Sequence, residues 1–236
     1  MKLSQLFEAL SYGELSSLAI GGAGSGVVPE EHWPALITHI NTGLTKLYSR
    51  FPLVEKELVI QQYASIKVYD LKVDFAVSNT ESTEPIKYII DSADKPFLED
   101  IIRINVAYGD DGKEVPLNDS GDECSWFTPS YDSVQVPEPV DETTMVLSYR
   151  AAHTRLSPDT KDPASVLVDI PPYLEEALQC YVASRVHSLR STQEALSESS
   201  LYYSKYNAIC KEVEQRNLVL DSRSNTNNKL DDKGYA

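Results

Sequence analysis

The stretch from Pro171 to Leu220 constrains the fold more than any other part of the chain. It begins with two prolines, which a first helical turn tolerates because that N–H has no intrahelical partner. Glu175 and Glu176 follow where the helix dipole favours negative charge. Apolar residues then recur at three- and four-residue steps, which predicts a helix with one buried face. That face comprises Leu174, Ala177, Leu178, Tyr181, Val182, Val186 and Leu189.

A second helix is predicted directly after the first. Ser191 to Glu194 matches a capping box, which marks a helix N-terminus. Two amphipathic helices joined by so few residues should form an antiparallel hairpin. Core packing is the simplest role for the second apolar stripe, which consists of Leu196, Tyr203, Tyr206, Ile209, Cys210 and Val213.

The first 54 residues predict further helices. Apolar spacing indicates a short helix over residues 3–10 and a longer one from His32 to Arg50, which Phe51-Pro52 ends. A glycine-rich loop over residues 21–26 lies between them. It lacks both a following Lys-Ser or Lys-Thr and the GxGxxG spacing, which argues against a nucleotide site.

From Glu55 the pattern changes to strands. Period-two alternation and an Asp-Gly turn at residues 109–112 predict an antiparallel β-rich region. The predicted strands cover residues 58–61, 66–73, 88–91, 101–108, 113–117, 125–128, 133–136 and 144–151, and residues 165–168 lead into the hairpin.

The sequence therefore predicts an α+β fold, a helical bundle with an antiparallel β-rich insertion and a disordered tail. The bundle would consist of the N-terminal helix and the C-terminal hairpin. The tail has almost no residues able to form a core, so it should order only on a partner. The predicted segments are 1–54 (N-terminal helical), 55–169 (β-rich insertion), 170–220 (helical hairpin packing on the N-terminal helix) and 221–236 (partner-binding tail).

Charge and hydropathy limit the possible partners. The 236-residue chain carries a formal net charge of -15, which argues against a basic grip on nucleic acid. An acidic wall still lets DNA pass, because it repels phosphate and prevents sticking. No run approaches the ~18 apolar residues of a membrane helix, and Glu8 interrupts any signal-peptide core. We expect a soluble protein that stays in the cytosol until assembly.

No catalytic or metal-binding motif emerges. The chain has no GxSxG, HExxH or CxxC pattern, and its four histidines lack the spacing of zinc ligands. The acidic loop at residues 118–123 lacks the alternating ligands of an EF-hand. Cys124, Cys180 and Cys210 are odd in number and far apart, so we expect reduced thiols. We expect no enzyme activity, no cofactor and no metal.

This layout resembles the head-to-tail adaptor (head-completion) proteins of short-tailed bacteriophages. The resemblance spans most of the chain and rests on structural patterns rather than on a catalytic signature. It is carried by residues 41–53, the hairpin from Val106 to Asp119, the strand end at residues 134–137, and residues 169–173 opening the helical hairpin.

The resemblance implies a structural virion protein in the neck of the particle, made in the host cytoplasm. Members form a ring, typically dodecameric, that binds the portal protein above and a tail tube or nozzle protein below. Genome DNA passes through the channel without specific binding. The large β-rich insertion departs from smaller members, so the resemblance assigns it no role.

Two sets of residues are predicted to carry these contacts. Tyrosine is frequent, with 14 residues against 5 Phe and 2 Trp, and suits surfaces that are apolar on one side and wet on the other. The predicted subunit-interface residues are Tyr181, Tyr202, Tyr203 and Tyr206. The predicted portal-binding residues are Leu218, Leu220, Lys229, Leu230 and Tyr235.

Two other classes remain open. A tail-tube or tail-completion protein would place the β-rich region at the centre of assembly. An enzyme or carbohydrate-binding module would build its site from tyrosine, tryptophan and scattered carboxylates.

Overall fold

The computed structural model describes residues 1–190 and 192–219. The chain forms two compact units. A helical unit combines Met1–Pro52 with the described residues from Thr154 onward, and a β unit holds Leu53–His153. The predicted α+β class is confirmed, because helices and an antiparallel sheet are both present.

The helical unit is built around one central helix. Its helices are α1 (Leu3–Tyr12), α2 (Trp33–Arg50), α3 (Pro172–Ser188) and α4 (Gln193–Gln215). Helix α3 contacts each of the other three, so it is buried around most of its circumference rather than on one face. Cys180 and His187 are buried outside the predicted face, whereas Leu189 lies beyond the helix end and is exposed.

Helix α4 starts slightly later than the sequence predicts. Its N-cap is Thr192, whose hydroxyl accepts the Ala195 N–H at 3.3 Å, in place of the predicted cap at Ser191. The buried face is also narrower than predicted, because Leu196 and Tyr203 are exposed. The residues buried on α4 are Ala195, Tyr206, Cys210 and Val213.

The end of α4 is a Schellman motif. Asn217 adopts a left-handed conformation with φ of 49° and donates its N–H to Glu214 O at 3.1 Å. Leu218 donates to Val213 O at 3.3 Å, which completes the motif. The predicted continuation of the helix to Leu220 is therefore wrong, because the chain leaves the helix axis at Asn217.

The segment before α3 belongs to the helical unit. Leu3 N–H donates to Val166 O, and Val168 N–H donates to Met1 O, each at 2.9 Å. Tyr48 reaches the same segment through its hydroxyl, which donates to Asp169 O at 2.8 Å. The predicted insertion extended to residue 169, but these backbone bonds tie residues 154–169 to the chain's first residues.

The β unit contains two antiparallel sheets. Its strands are β1 (Glu55–Gln61), β2 (Val68–Asp70), β3 (Ile89–Ile90), β4 (Ile101–Tyr108), β5 (Glu114–Val115), β6 (Ser133–Gln135) and β7 (Thr144–Ala151). The larger sheet has the order β3-β1-β7-β4-β5, and β2 pairs with β6. Residues 125–128, predicted as a strand, contribute only isolated bridges.

The β unit has its own core. Buried side chains of β1 and β7 alternate with mostly half-buried ones, as expected for a sheet with one covered face, and β4 departs from strict alternation at its register shifts. Tyr88 stacks on Phe75 with ring centroids 4.6 Å apart, which extends this core beneath the smaller sheet. Members of the core include Leu58, Ile60, Tyr69, Ile89, Phe97, Trp126, Val134, Met145 and Leu147.

Candidate interaction surface

Three tyrosines and a lysine form a cluster where α2, α3 and α4 meet. The tyrosine cluster comprises Tyr181, Tyr203, Tyr206 and Lys46. Tyr206 packs edge-on against Tyr181 at 5.5 Å between ring centroids and lies 5.7 Å from Tyr203. The ammonium of Lys46 lies 5.8 Å from the Tyr181 ring and 5.9 Å from the Tyr203 ring, within the range of cation–π attraction.

Members of the tyrosine cluster differ in exposure. Tyr181 and Tyr206 are buried inside the chain at 0% and 3% exposure, so they stabilise the helical unit and present no ring to a partner. This corrects their prediction as subunit-interface residues. Tyr203 is 42% exposed and borders a shallow hollow of about 380 Å³. The other residues lining the hollow are Thr45, Lys46, Ser49, Arg50, Tyr206 and Asn207.

An ion pair joins α2 to the end of α4 beside this hollow. Arg50 Nε and Nη2 donate to the two carboxylate oxygens of Glu214 at 2.7 and 2.9 Å. The hydrogen bond from Arg50 lowers the pKa of Glu214 below its ordinary value. Such a two-pronged arrangement fixes the relative position of the two helices more strictly than a single contact would.

Tyr202 belongs to a different group of side chains. Its ring stacks on His187 at 5.3 Å, and its hydroxyl lies 3.5 Å from Glu14 O. His187 is buried, with Nδ1 2.6 Å from a carboxylate oxygen of Glu198. Tyr202 is thus half-buried. Because Tyr202 and Tyr203 are adjacent in α4, their side chains point in directions about 100° apart. The four predicted tyrosines therefore do not form a single surface.

The buried thiols of the helical unit are poor nucleophiles. Burial, reinforced by Glu14 and Glu176, raises the pKa of Cys180 to about 11. Burial also raises the pKa of Cys210. A thiol reacts through its thiolate, so neither group is activated near neutral pH. Cys124 of the β unit is exposed.

Apolar side chains remain uncovered on α4. Leu196 is 48% exposed and lies two helical turns before Tyr203, so both flank the buried face on the same side. Leu201 is exposed on the outer side of the helix. Leu218, predicted to bind a portal, is exposed just after α4. The other predicted portal-binding residues, Leu220, Lys229, Leu230 and Tyr235, lie outside the described residues.

Sequence reasoning missed the basic partners of the tyrosines. Lys46 and Arg50 come from α2, far from Tyr203 and Glu214 along the chain. Arg185 was also missed, although it lies four residues after Tyr181 and donates to its hydroxyl at 3.1 Å. The spacing of Arg185 could have signalled this contact. The contacts of Lys46 and Arg50 have no local signal, because they depend on how α2 packs.

The residues that the structure describes contain no group of three or more metal-ligating side chains. Among the same residues, no helix has the length and apolar character needed to cross a membrane. No protein-family model matches the chain, and neither does any curated protein.

Proposed function

We propose that this chain is a structural virion protein, the adaptor ring that joins a phage portal to the tail and lines the DNA exit channel. The observation that carries the proposal is the helical hairpin of α3 and α4, which a β unit separates from α2 along the chain. Helix α4 of this hairpin leaves the side chains of Leu196 and Tyr203 exposed. Side chains of these types provide contact area between subunits. The order of N-terminal helix, β unit and helical hairpin supports the adaptor proposal, and the large size of the β unit is its departure from smaller adaptors.

In this role, Tyr203 and Leu196 contact the neighbouring subunit. Lys46 holds the Tyr203 ring in place, which reduces the entropy lost when the interface forms. Tyr181 and Tyr206 support this surface from within. Tyr202, the fourth predicted interface residue, stacks on His187 within the subunit and lies apart from the surface of Tyr203 and Leu196.

Charge supports a channel through which DNA moves without binding. Each copy carries a formal charge of -15, so a ring of such copies carries a large net negative charge that repels phosphate. We expect no measurable duplex binding by the isolated protein at physiological salt. Salt-sensitive micromolar binding would refute a passive channel and indicate a basic patch.

The assembly test mixes the purified protein with its phage portal and images the product by negative-stain electron microscopy, with native mass spectrometry for stoichiometry. We expect rings bound to one face of the portal. Tyr203→Asp and Leu196→Asp should abolish ring formation while the thermal unfolding midpoint changes little. Val140→Asp is the matched control, because Val140 is an exposed apolar residue of the β unit.

The result that would overturn the proposal is a monomer under all these conditions. Gold label on the tail shaft rather than the neck of intact particles would favour the tail-tube alternative.

A tail deletion tests the portal contact. Removing residues 221–236 should leave the fold intact and abolish stable capture of DNA-filled heads, because the deleted segment is proposed to strap the ring to the portal. Leu218→Ser in the full chain should weaken capture less, since it removes only one apolar anchor. Heads completed equally well by the truncated chain would refute the strap.

A further inference from the structure

The outer edge of β1 is only partly covered. Its neighbour β3 pairs with it at Val59 and Ile60 and then ends at Ile90. The chain next folds into a turn in which Ser92 and Lys95 form an isolated bridge. The first half of β1 therefore has a strand on one side, β7, and no strand on the other within the described residues.

The alternation of β1 shows which backbone groups face this open edge. Gln61 N–H donates to Tyr88 O on the β3 side, whereas Val54 O accepts from Ala151 N–H on the β7 side. Backbone groups of successive residues point to opposite edges of a strand. Odd-numbered residues of β1 therefore point their N–H and C=O toward the β3 side. The N–H and C=O of Glu57 lie beyond the end of β3. An exposed, unpaired edge is a template for another strand.

A cleft lies against this edge. Its volume is about 800 Å³, and β1, β3 and residues 91–98 form its walls. Leu98 is 60% exposed and Ile90 is 42% exposed, while Phe97 is buried at the base. Exposed apolar side chains beside an unpaired strand edge combine the two elements that strand-adding sites use, backbone hydrogen bonds and side-chain pockets.

Hydrogen bonds and an ion pair fix the wall of the cleft that residues 91–98 form. Asp91 accepts the Ser78 N–H at 2.7 Å and the Phe97 N–H at 2.9 Å. Asp100 binds the ammonium of Lys56 at 2.5 Å and the hydroxyl of Tyr149 at 3.0 Å. These contacts hold the cleft open before any ligand arrives, which lowers the cost of binding.

We propose that this edge of β1 binds an extended peptide of a partner protein, added as a further strand of the sheet. The site favours alternating apolar and basic residues. Directly paired strand residues share a face of the sheet, so Glu57 and Ile90 lie on one face and Leu58 lies with Phe97 on the other. Basic side chains of the added strand lie on the face of Glu57, and its apolar side chains lie on the face of Leu58 and Phe97.

Two lysines also line the cleft. Asp100 neutralises Lys56. The exposed Lys95 is outnumbered by Glu57, Asp91 and Asp94. This inference stands independently of the adaptor proposal.

A second copy of the chain fits this edge less well. Pairing two β1 edges antiparallel would set the acidic residues Glu55 and Glu57 of the two copies opposite one another, and like charges across a strand pair are destabilising. The net charge of -15 adds to this repulsion. A basic, extended segment avoids both costs.

The test uses a fluorescein-labelled octapeptide of alternating Val and Lys, titrated with the full-length protein and followed by anisotropy. Glu57→Pro removes the outward N–H while leaving the β7 side of the strand intact. We expect binding to weaken about fivefold or more, the factor equivalent to about 1 kcal/mol for one hydrogen bond. Glu57→Gln keeps the N–H and should weaken binding less than Glu57→Pro does.

Two further variants and a second measurement guard against misfolding. Leu98→Asn should weaken binding about fivefold, and Val140→Asn, at an exposed apolar position away from the cleft, should not change it. Hydrogen–deuterium exchange should slow over residues 55–59 when the peptide binds. Equal affinity of the Glu57→Pro variant, of a peptide N-methylated at alternate residues, or of an alternating Val–Glu peptide would overturn the proposal. So would the absence of binding up to 1 mM peptide.

Discussion

Replacing Leu178 by Ala tests the packing at the centre of the helical unit. Leu178 is fully buried on α3, facing α2. A Cβ added at Gly43 of α2 would lie 2.6 Å from Leu178 Cδ1 and 2.9 Å from Tyr181 Cδ1. Gly43 therefore lets the two helices approach closely, and Leu178 fills the space that this approach leaves.

The expected loss follows from that geometry. A buried Leu→Ala change costs about 2–5 kcal/mol, and the cost rises when the surroundings cannot collapse into the cavity. Three helices surround α3, so we expect a loss of about 3 kcal/mol or more. Leu201→Ala is the matched control, because Leu201 is 54% exposed and should change stability by less than ~0.5 kcal/mol.

A second substitution makes the reasoning sharper. Gly43→Ala alone introduces a clash of roughly 1–3 kcal/mol, offset by about 1 kcal/mol of improved helix propensity. In the Leu178→Ala background, the clash with Leu178 Cδ1 is gone and the new methyl group fills part of the cavity, while its close approach to Tyr181 Cδ1 remains. The double variant should therefore be more stable than the sum of the single effects predicts, by about 0.5–3 kcal/mol.

The assay is urea unfolding followed by circular dichroism at 222 nm, because α1 to α4 all lie in the helical unit. A loss below ~0.5 kcal/mol for Leu178→Ala would show that the residue is not buried as described. Additive effects in the double variant, within about 0.3 kcal/mol, would refute the direct contact between Leu178 and Gly43.

Three further predictions concern thiols, pH and a buried amide. A thiol reagent at pH 8 should modify the exposed Cys124 rapidly and the two buried cysteines only after unfolding; rapid reaction of all three in the native protein would contradict their burial. Glu214→Gln should destabilise the helical unit at pH 7 by no more than about 1 kcal/mol, because the pair with Arg50 is partly exposed. The pKa of Glu214 is lowered in the folded state, so this contribution is present above about pH 4.5 and is lost as pH falls through the folded pKa. The difference from wild type should shrink as pH falls below about 4.5 and through the folded pKa of Glu214. Glu212→Gln, in the same last turn, should show a smaller effect, and a difference that grows as pH falls would refute the assignment. The Asn41 side-chain amide donates to Leu156 O and accepts from Leu156 N–H, each at 2.9 Å. Asn41→Ala should therefore lower the free energy of urea unfolding by roughly 2–4 kcal/mol, because it leaves both buried backbone groups unpaired; a loss below ~0.5 kcal/mol would contradict those bonds.

Local pattern accounts for the elements that could be predicted. Strands β4 and β7 have the predicted bounds, because alternation over eight residues leaves little ambiguity. Helix α2 begins within one residue of its predicted start, where Pro34 occupies an early helical position. The shorter strands β2, β3 and β5 cover only part of their predicted ranges, because edge pairing rather than propensity decides where they end.

The candidate surface was less predictable. Periodicity placed Tyr203 and Tyr206 on one stripe, yet one is exposed and the other is buried. The difference arises because α4 packs through a narrow face, centred on Tyr206 and Cys210. The width of a buried face depends on the number of neighbours, and a single helix does not encode that number.

The sequence by itself determined the helices, the long strands, the acidic charge and the Asp-Gly hairpin turn, because each depends on residues close along the chain. Tertiary structure decided which tyrosines are buried, which cations contact them and where β1 lacks a neighbour. These features join residues far apart in sequence, such as Lys46 with Tyr203 and Glu55 with Arg150. Such pairings are settled by the packing of whole elements, and local propensity carries no record of them.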